Sequence, residues 1–257
     1  MKSIIICLSF LFLFFVSQAQ KTAETDLKRN GLYGKVRSVK TTSFAAVQKG
    51  DTVIKGAKER DIFYSDYDTY QLYNKKGYVI QEKMYESDGK LMEELNYSYD
   101  TLGYLTNMKE NNQGVLDNYT YKRKFDKSGN LIEKTSMNNN SFSSKVKFKY
   151  VNKRIVEEKT YDEKNKLLSI WRYAFDKKGY CIERSCYDEK DSLTFKVSQE
   201  INEKGLVSKW TALNSYSKKT TTFTYTYTFD ALGNWNRQII YKGGVARYIV
   251  ERVIEFY

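Results

Sequence analysis

Three glutamates, Glu133, Glu157 and Glu183, recur at equivalent places in this chain, and paired carboxyls about 5–10 Å apart are what glycoside hydrolysis needs. On strands two apart their spacing would be roughly 10 Å, the right order for such a pair. Their recurrence argues otherwise. An active site converges on one pocket, whereas a row that repeats suits cross-strand pairing with lysines on the strands between. Composition closes most other catalytic routes. The chain has no histidine, which removes Ser-His-Asp and Cys-His nucleophiles and every His-based zinc site. We therefore expect a protein that is not an enzyme, with no catalytic residue, metal ligand or cofactor. An envelope glycosidase or polysaccharide lyase working through Glu and Tyr is the enzymatic alternative.

Binding chemistry has more material. Trp171, Trp210 and Trp235 could stack on sugar rings, although Trp171 and Trp235 fall on the core register and are better read as packing. Trp210 breaks that register and is the candidate for an exposed ring, with the adjacent Lys209 and with Arg237 as cationic neighbours. The formal net charge is +12, a balance drawn to anionic polymers. Lysines scattered this evenly also serve a plainer purpose, keeping a long sheet soluble and its edges blunt. Basic and aromatic residues together suit single-stranded nucleic acid, a partner not expected of an exported protein.

Export is read from the first nineteen residues. Lys2 precedes an uncharged apolar run from Ile4 to Val16, followed by Ser17-Gln18-Ala19, the order of a secretory signal peptide. The run is short for a bilayer span. Residues 1–19 are thus expected to be removed, leaving no transmembrane segment and a secreted, periplasmic or cell-surface product of net charge +11, since Lys2 is the leader's one charged residue.

The elements that must position any site come from a repeat. An aromatic or aliphatic anchor followed by a turn recurs at Tyr73, Tyr99, Phe125, Tyr150, Phe175, Ile201 and Phe229, every 25 to 28 residues. Such a period marks units that bury their apolar faces against one another. The strand before each turn alternates, most clearly in Phe223, Tyr225, Tyr227 and Phe229 set among Thr222, Thr224, Thr226 and Thr228; this is one dry and one wet face. The turns pair an acid or amide with a glycine three residues on, as in Asp100 and Gly103, Asp126 and Gly129, Asp176 and Gly179, and Asp230 and Gly233. The Asx oxygen can accept backbone N–H groups while glycine takes the positive φ of a bulged hairpin turn. Each turn acid offers one carboxylate where calcium wants six or more oxygens. The fourth turn, after Tyr150, lacks the glycine and is expected to be different or strained.

Two positions after the glycine comes an apolar row, Val79, Leu105, Leu131, Ile155, Cys181, Val207 and Trp235. Six further on, Tyr85, Asn111, Met137, Tyr161, Tyr187, Leu213 and Tyr241 read as a second core row. The fold class is therefore all-β: an antiparallel meander of about seven two-strand repeats, curled into a coiled sheet or open barrel, with a β-solenoid as the alternative. Residues 20–69 should cap the first edge, with a short helix over 22–29 and strands over 34–45 and 51–54; residues 70–245 form the repeat domain; residues 246–257 make the closing strand. Cys181 and Cys186 are expected to be free thiols, because positions five apart on a strand point to opposite faces.

The segments Tyr97-Ser-Tyr99-Asp100-Thr-Leu-Gly103-Tyr-Leu105, Phe125-Asp126-Lys-Ser-Gly129-Asn-Leu131 and Tyr227-Thr-Phe229-Asp230-Ala-Leu-Gly233-Asn-Trp235 resemble the YD repeat of Rhs/YD-repeat proteins. The resemblance covers about residues 70–245. It implies an all-β sheet that spirals into a shell on exported or cell-surface proteins, with carbohydrate as a suggested ligand. The functional expectation is a non-enzymatic binding or structural module for an anionic polysaccharide or an envelope protein. A scaffold or inhibitor of a partner protein is a further alternative.

Overall fold

The computed structural model describes residues 23–59 and 68–257; the expected signal peptide lies outside the described residues. Among the described residues one short helix, α1 (Asp26–Arg29), precedes seventeen strands. They are β1 (Val36–Lys49), β2 (Thr52–Lys58), β3 (Asp68–Tyr73), β4 (Val79–Tyr85), β5 (Leu91–Tyr99), β6 (Leu105–Asn112), β7 (Val115–Phe125), β8 (Leu131–Asn138) and β9 (Ser141–Val151). The remainder are β10 (Arg154–Tyr161), β11 (Leu167–Phe175), β12 (Cys181–Tyr187), β13 (Leu193–Ile201), β14 (Val207–Asn214), β15 (Lys219–Phe229), β16 (Trp235–Lys242) and β17 (Val245–Phe256). From β3 to β17 every strand pairs antiparallel with the next. Strand β1 then closes the ring. One of its edges pairs with β17, Val36 opposite Phe256 through Ala45 opposite Tyr248. Its other edge holds β3 at residues 38–41 and β2 further along. The result is a closed barrel of sixteen strands, with β2 as a side hairpin on β1. The expected meander is present, and the seam between the first and last strands makes it closed instead of open.

The glycine turns form as expected. Asp100 Oδ1 accepts the N–H groups of Leu102 and Tyr104, both at 2.9 Å, and Asp126, Asp176 and Asp230 act alike at their own turns. At the glycine-less fourth turn Asn152 and Lys153 both take positive φ, 50° and 64°, in a two-residue hairpin. This is the turn whose twist matches that of the strands, and it accounts for the missing residue.

After each of these seven turns the register slips by one. Tyr73 faces Val79, but Leu72 already faces Gln81, so Ile80 is the extra residue of a bulge; the same slip follows Tyr99, Phe125, Tyr150, Phe175, Ile201 and Phe229. A bulge flips the parity of everything beyond it. The side chains that share a face with the apolar row are therefore three and five positions on, such as Glu82 with Met84, Lys134 with Ser136, and Trp210 with Ala212. The row six positions on, from Tyr85 to Tyr241, is corrected to the opposite face. The bulges also expose main-chain carbonyls, and the following unit caps them. Tyr99 donates to Val79 O at 2.8 Å, Tyr150 to Leu131 O at 3.0 Å, Gln199 to Cys181 O at 2.6 Å, Tyr227 to Val207 O at 2.7 Å, and Arg123 to Leu105 O.

The aromatic face lines the interior, because concave curvature crowds side chains and convex curvature spreads them. Phe223, Tyr225, Trp210, Ile240, Val197 and Val250 form one buried cluster on that face. The second cluster, Val36, Val39, Tyr73 and Val79, is covered by Leu27 and Leu32 of the N-terminal segment. This segment sits over the barrel end that carries the glycine turns and bridges the seam. Leu27 N–H bonds Gly77 O at 3.0 Å, Ala23 N–H bonds Leu102 O at 2.8 Å, and Tyr33 N–H bonds Asn234 Oδ1 at 2.6 Å. Thr25 caps α1 through the Lys28 N–H at 3.3 Å. Asp26, also buried, accepts the Val79 N–H at 2.8 Å and the Tyr99 hydroxyl at 3.0 Å.

Candidate functional site

The inner wall is not uniformly dry. On β1, β3 to β5 and β12 to β17 it holds nearly every buried apolar residue of the barrel. On β6 to β11 it is half-exposed, and Tyr121, Phe148, Tyr150, Trp171, Tyr173 and Phe175 all keep part of their rings open to the lumen. Phe125, expected to be hidden, is 42% exposed at the rim, with Tyr104 tilted against it at a centroid distance of 5.2 Å. A sixteen-strand barrel is too wide for its own side chains to fill. The wall farthest from the N-terminal segment is therefore the surface the lumen presents.

Charged groups are set among these rings at the height created by the bulges. Lys134 on β8 and Glu158 on β10 flank Phe148 of β9, which pairs directly with Glu158. Burial pulls the Lys134 ammonium below its ordinary value and pushes the Glu158 carboxyl above its own, while their mutual attraction opposes both drifts. The Tyr173 hydroxyl hydrogen-bonds Glu158, and burial followed by that carboxylate raises its own pKa. Lys134 lies over the Tyr121 ring at 5.8 Å, and Arg123 stacks between Tyr104 at 5.5 Å and Tyr121 at 5.7 Å. Along the wall, Glu82 is buried and accepts the Tyr97 hydroxyl at 3.1 Å and Gln71 Nε2 at 3.2 Å. Beside it Glu93 is pushed up to about 7, by burial first and then by the Glu110 carboxyl it hydrogen-bonds. Two carboxyls in hydrogen-bond contact share a proton; they are too close to admit a sugar between acid and nucleophile. Among the described residues no group of three or more acidic or cysteine side chains is placed to hold a metal ion.

The residues singled out from sequence separate. Trp210 is only 8% exposed, tilted against Phe223 at 5.9 Å. The bulge at Ser208 returns it to the inner face, so the expectation of an exposed Trp210 is corrected. Lys209 and Arg237 point outward. Lys209 pairs with Glu200 at 2.9 Å and Arg237 donates to Val53 O at 3.2 Å; neither joins Trp210. The glutamate row also faces out and is engaged. Glu133 meets Lys124 at 2.7 Å, Glu157 meets Arg172 at 3.2 Å and Lys159 at 3.4 Å, and Glu183 meets Lys196 at 2.6 Å. Its hydrogen bond from Lys124 holds Glu133 below the usual carboxylate range, the opposite of a general acid's need. Neither Cys181 nor Cys186 is in a disulfide. What sequence reading missed is the embedded row Glu82, Lys134, Glu158, Arg184 and Gln238. The one signal for it was its fixed offset of three from the apolar row.

No family model matches the sequence, and no curated protein sequence matches it. Among solved structures, a porin-like protein from Bacteroides uniformis aligns over 86% of this chain and 96% of its own at 10% identity and a TM-score of 0.40. A second, from Bacteroides vulgatus, aligns over 85% and 97% at 9% identity and a TM-score of 0.39. The Tc holotoxin pore of Photorhabdus luminescens aligns over 89% of this chain at 15% identity and a TM-score of 0.34, and the match spans 13% of that chain. At these scores the likenesses carry no functional argument.

Proposed function

We propose that the chain is a non-enzymatic, exported binding barrel that holds a glycan along the inner wall of β6 to β11. The observation that carries this reading is the set of half-exposed inward rings, Tyr121, Phe148, Trp171 and Tyr173, interrupted at one height by Lys134 and Glu158. A purely apolar ligand would strip water from those charges and offer them no hydrogen bond in return. A saccharide offers both an apolar ring face to the aromatics and hydroxyls to the charges. The outer surface is the weaker candidate, since Lys124, Lys159, Lys196 and Lys209 already pair with glutamates. Outward Lys147, Lys149, Thr224 and Thr226 are exposed at mid-barrel, where a lipid-spanning barrel carries an apolar band. No described helix is long and apolar enough to cross a membrane.

Calorimetric titration with oligosaccharides tests the reading. Trp171→Ala should weaken binding by about tenfold, the scale of one lost stacking partner, Trp171→Phe should restore most of it, and Lys209→Ala with Arg237→Ala should leave it unchanged. Binding that survives Trp171→Ala, or that follows the two outer cations, would sink the proposal.

A further inference from the structure

The inner wall holds a cation that, among the described residues, forms no ion pair with a carboxylate. Arg252 of β17 lies with its guanidinium carbon 3.5 Å from the centroid of the Trp235 ring. Its Nε and Nη1 are closed to water and hydrogen-bond to nothing. Its strand neighbours give no help: Glu251 faces outward to Lys55 at 2.9 Å, and Glu255 outward to the Ser38 hydroxyl at 2.7 Å. The ionisable groups that its field reaches most are the phenols of Tyr73 and Tyr227, neither of them a carboxylate. Burial accordingly lowers the guanidinium to about 10. A lone interior cation is a poor fold element, because an apolar side chain of similar volume would fill the place at lower cost.

We infer that Arg252, braced on Trp235, is the receptor for a carboxylate carried by the bound glycan, which makes the ligand a uronic-acid oligosaccharide. This rests on the glycan reading above and extends it, the bound chain reaching from the β6–β11 wall across the lumen to β17, on the opposite side of the ring. The guanidinium has two edges that match a carboxylate in bidentate fashion, and each contains one of the unpaired nitrogens, which the group must turn on the Trp235 face to present. The indole fixes the plane of that fork without using its N–H donors. The side chain as a whole keeps some contact with the lumen, the direction from which the carboxylate arrives. Tyr227, whose hydroxyl already accepts Gln238 Nε2 at 3.0 Å and donates to Val207 O at 2.7 Å, walls one side of the site.

The experiment titrates trigalacturonate, its methyl ester and laurate into the wild-type barrel and into Arg252→Lys and Arg252→Met variants at low salt. Trigalacturonate should bind about tenfold tighter than the ester, the worth of one charge-assisted bidentate contact. Arg252→Met should abolish that preference while leaving ester binding intact, and Arg252→Lys should keep part of it. Arg252→Met should also unfold at an equal or higher temperature than wild type. A preference that persists in Arg252→Met overturns the inference, as does laurate displacing trigalacturonate, or an unfolding temperature that drops by several degrees and marks Arg252 as a fold element. If neither saccharide binds wild type, the glycan reading itself fails; if acid and ester bind equally, only the carboxylate site does.

Discussion

Gly103 and Gly129 occupy the same turn position with the same backbone, φ +83° and +84°, yet they should respond differently to alanine. Both substitutions place an L-residue in the left-handed region, which costs about 1–2 kcal/mol. Around Gly129 a new Cβ meets nothing within 4 Å. At Gly103 it would overlap Tyr78 Oη and lie 2.5 Å from Tyr78 Cζ, because Tyr78, the residue after Gly77, reaches over it. The Tyr78 ring must then leave. It loses its tilted stack on Tyr99, centroids 4.9 Å apart, worth about 0.5–1.5 kcal/mol. It also loses its hydroxyl's 3.2 Å bond to Ala23 O, worth about 0.5–1.5 kcal/mol. Gly103→Ala should therefore exceed Gly129→Ala by about 1–3 kcal/mol in urea unfolding, and a Tyr78→Ala background should erase the difference. Equal costs in the wild-type background would refute the claim that Tyr78 staples its unit to the next at Gly103.

Other expectations follow from the same geometry. Glu93, raised from 4.5 to about 7, favours the proton-bound fold, so its contribution is whole below about pH 4.5 and is lost as pH climbs through 7. Glu93→Gln should match wild type at pH 4 and be more stable at pH 8 by about 1–2 kcal/mol after allowance for solvent screening; pH-dependent unfolding with the opposite slope would contradict the shared proton. Asp26→Ala strips the Val79 N–H and the Tyr99 hydroxyl of a buried acceptor and should cost about 2–4 kcal/mol, with faster hydrogen exchange at Val79. Cys181 is buried and its thiol is pushed up by desolvation, whereas Cys186 is half-exposed. A thiol reagent should modify Cys186 first, and the reverse order would count against the placement of both.

Much of the fold was legible because the repeat writes each unit's start and stop in residues with one conformational role. Alternation through Phe223 to Phe229 gave the inner face, and Asp100 with Gly103 gave the hairpin end. The embedded charges were not legible, since strict alternation carried past the turn assigns Lys134 and Glu158 to the outside. One unpaired residue per unit, such as Ile80 or Ser208, reverses that assignment, and single-strand periodicity has no means of registering a slip defined by the partner strand. For the same reason Trp210 was read as an outlier when it is one of the better buried rings. Closure was hidden too: the pairing of Val36 with Phe256 spans nearly the whole chain, and no local pattern near either end encodes its partner.

Because every unit supplies two adjoining strands and the ends meet only at the seam, the bore of this architecture comes in steps. Duplicating or deleting one unit would alter the girth by about 10 Å, from a strand spacing of about 4.8 Å, or somewhat more once tilt is included. No other unit need change its residues. A gene that gains or loses copies in tandem thereby resizes the vessel in whole increments, and the chain's ancestors had a route to a different cargo that required no remodelling of any single hairpin.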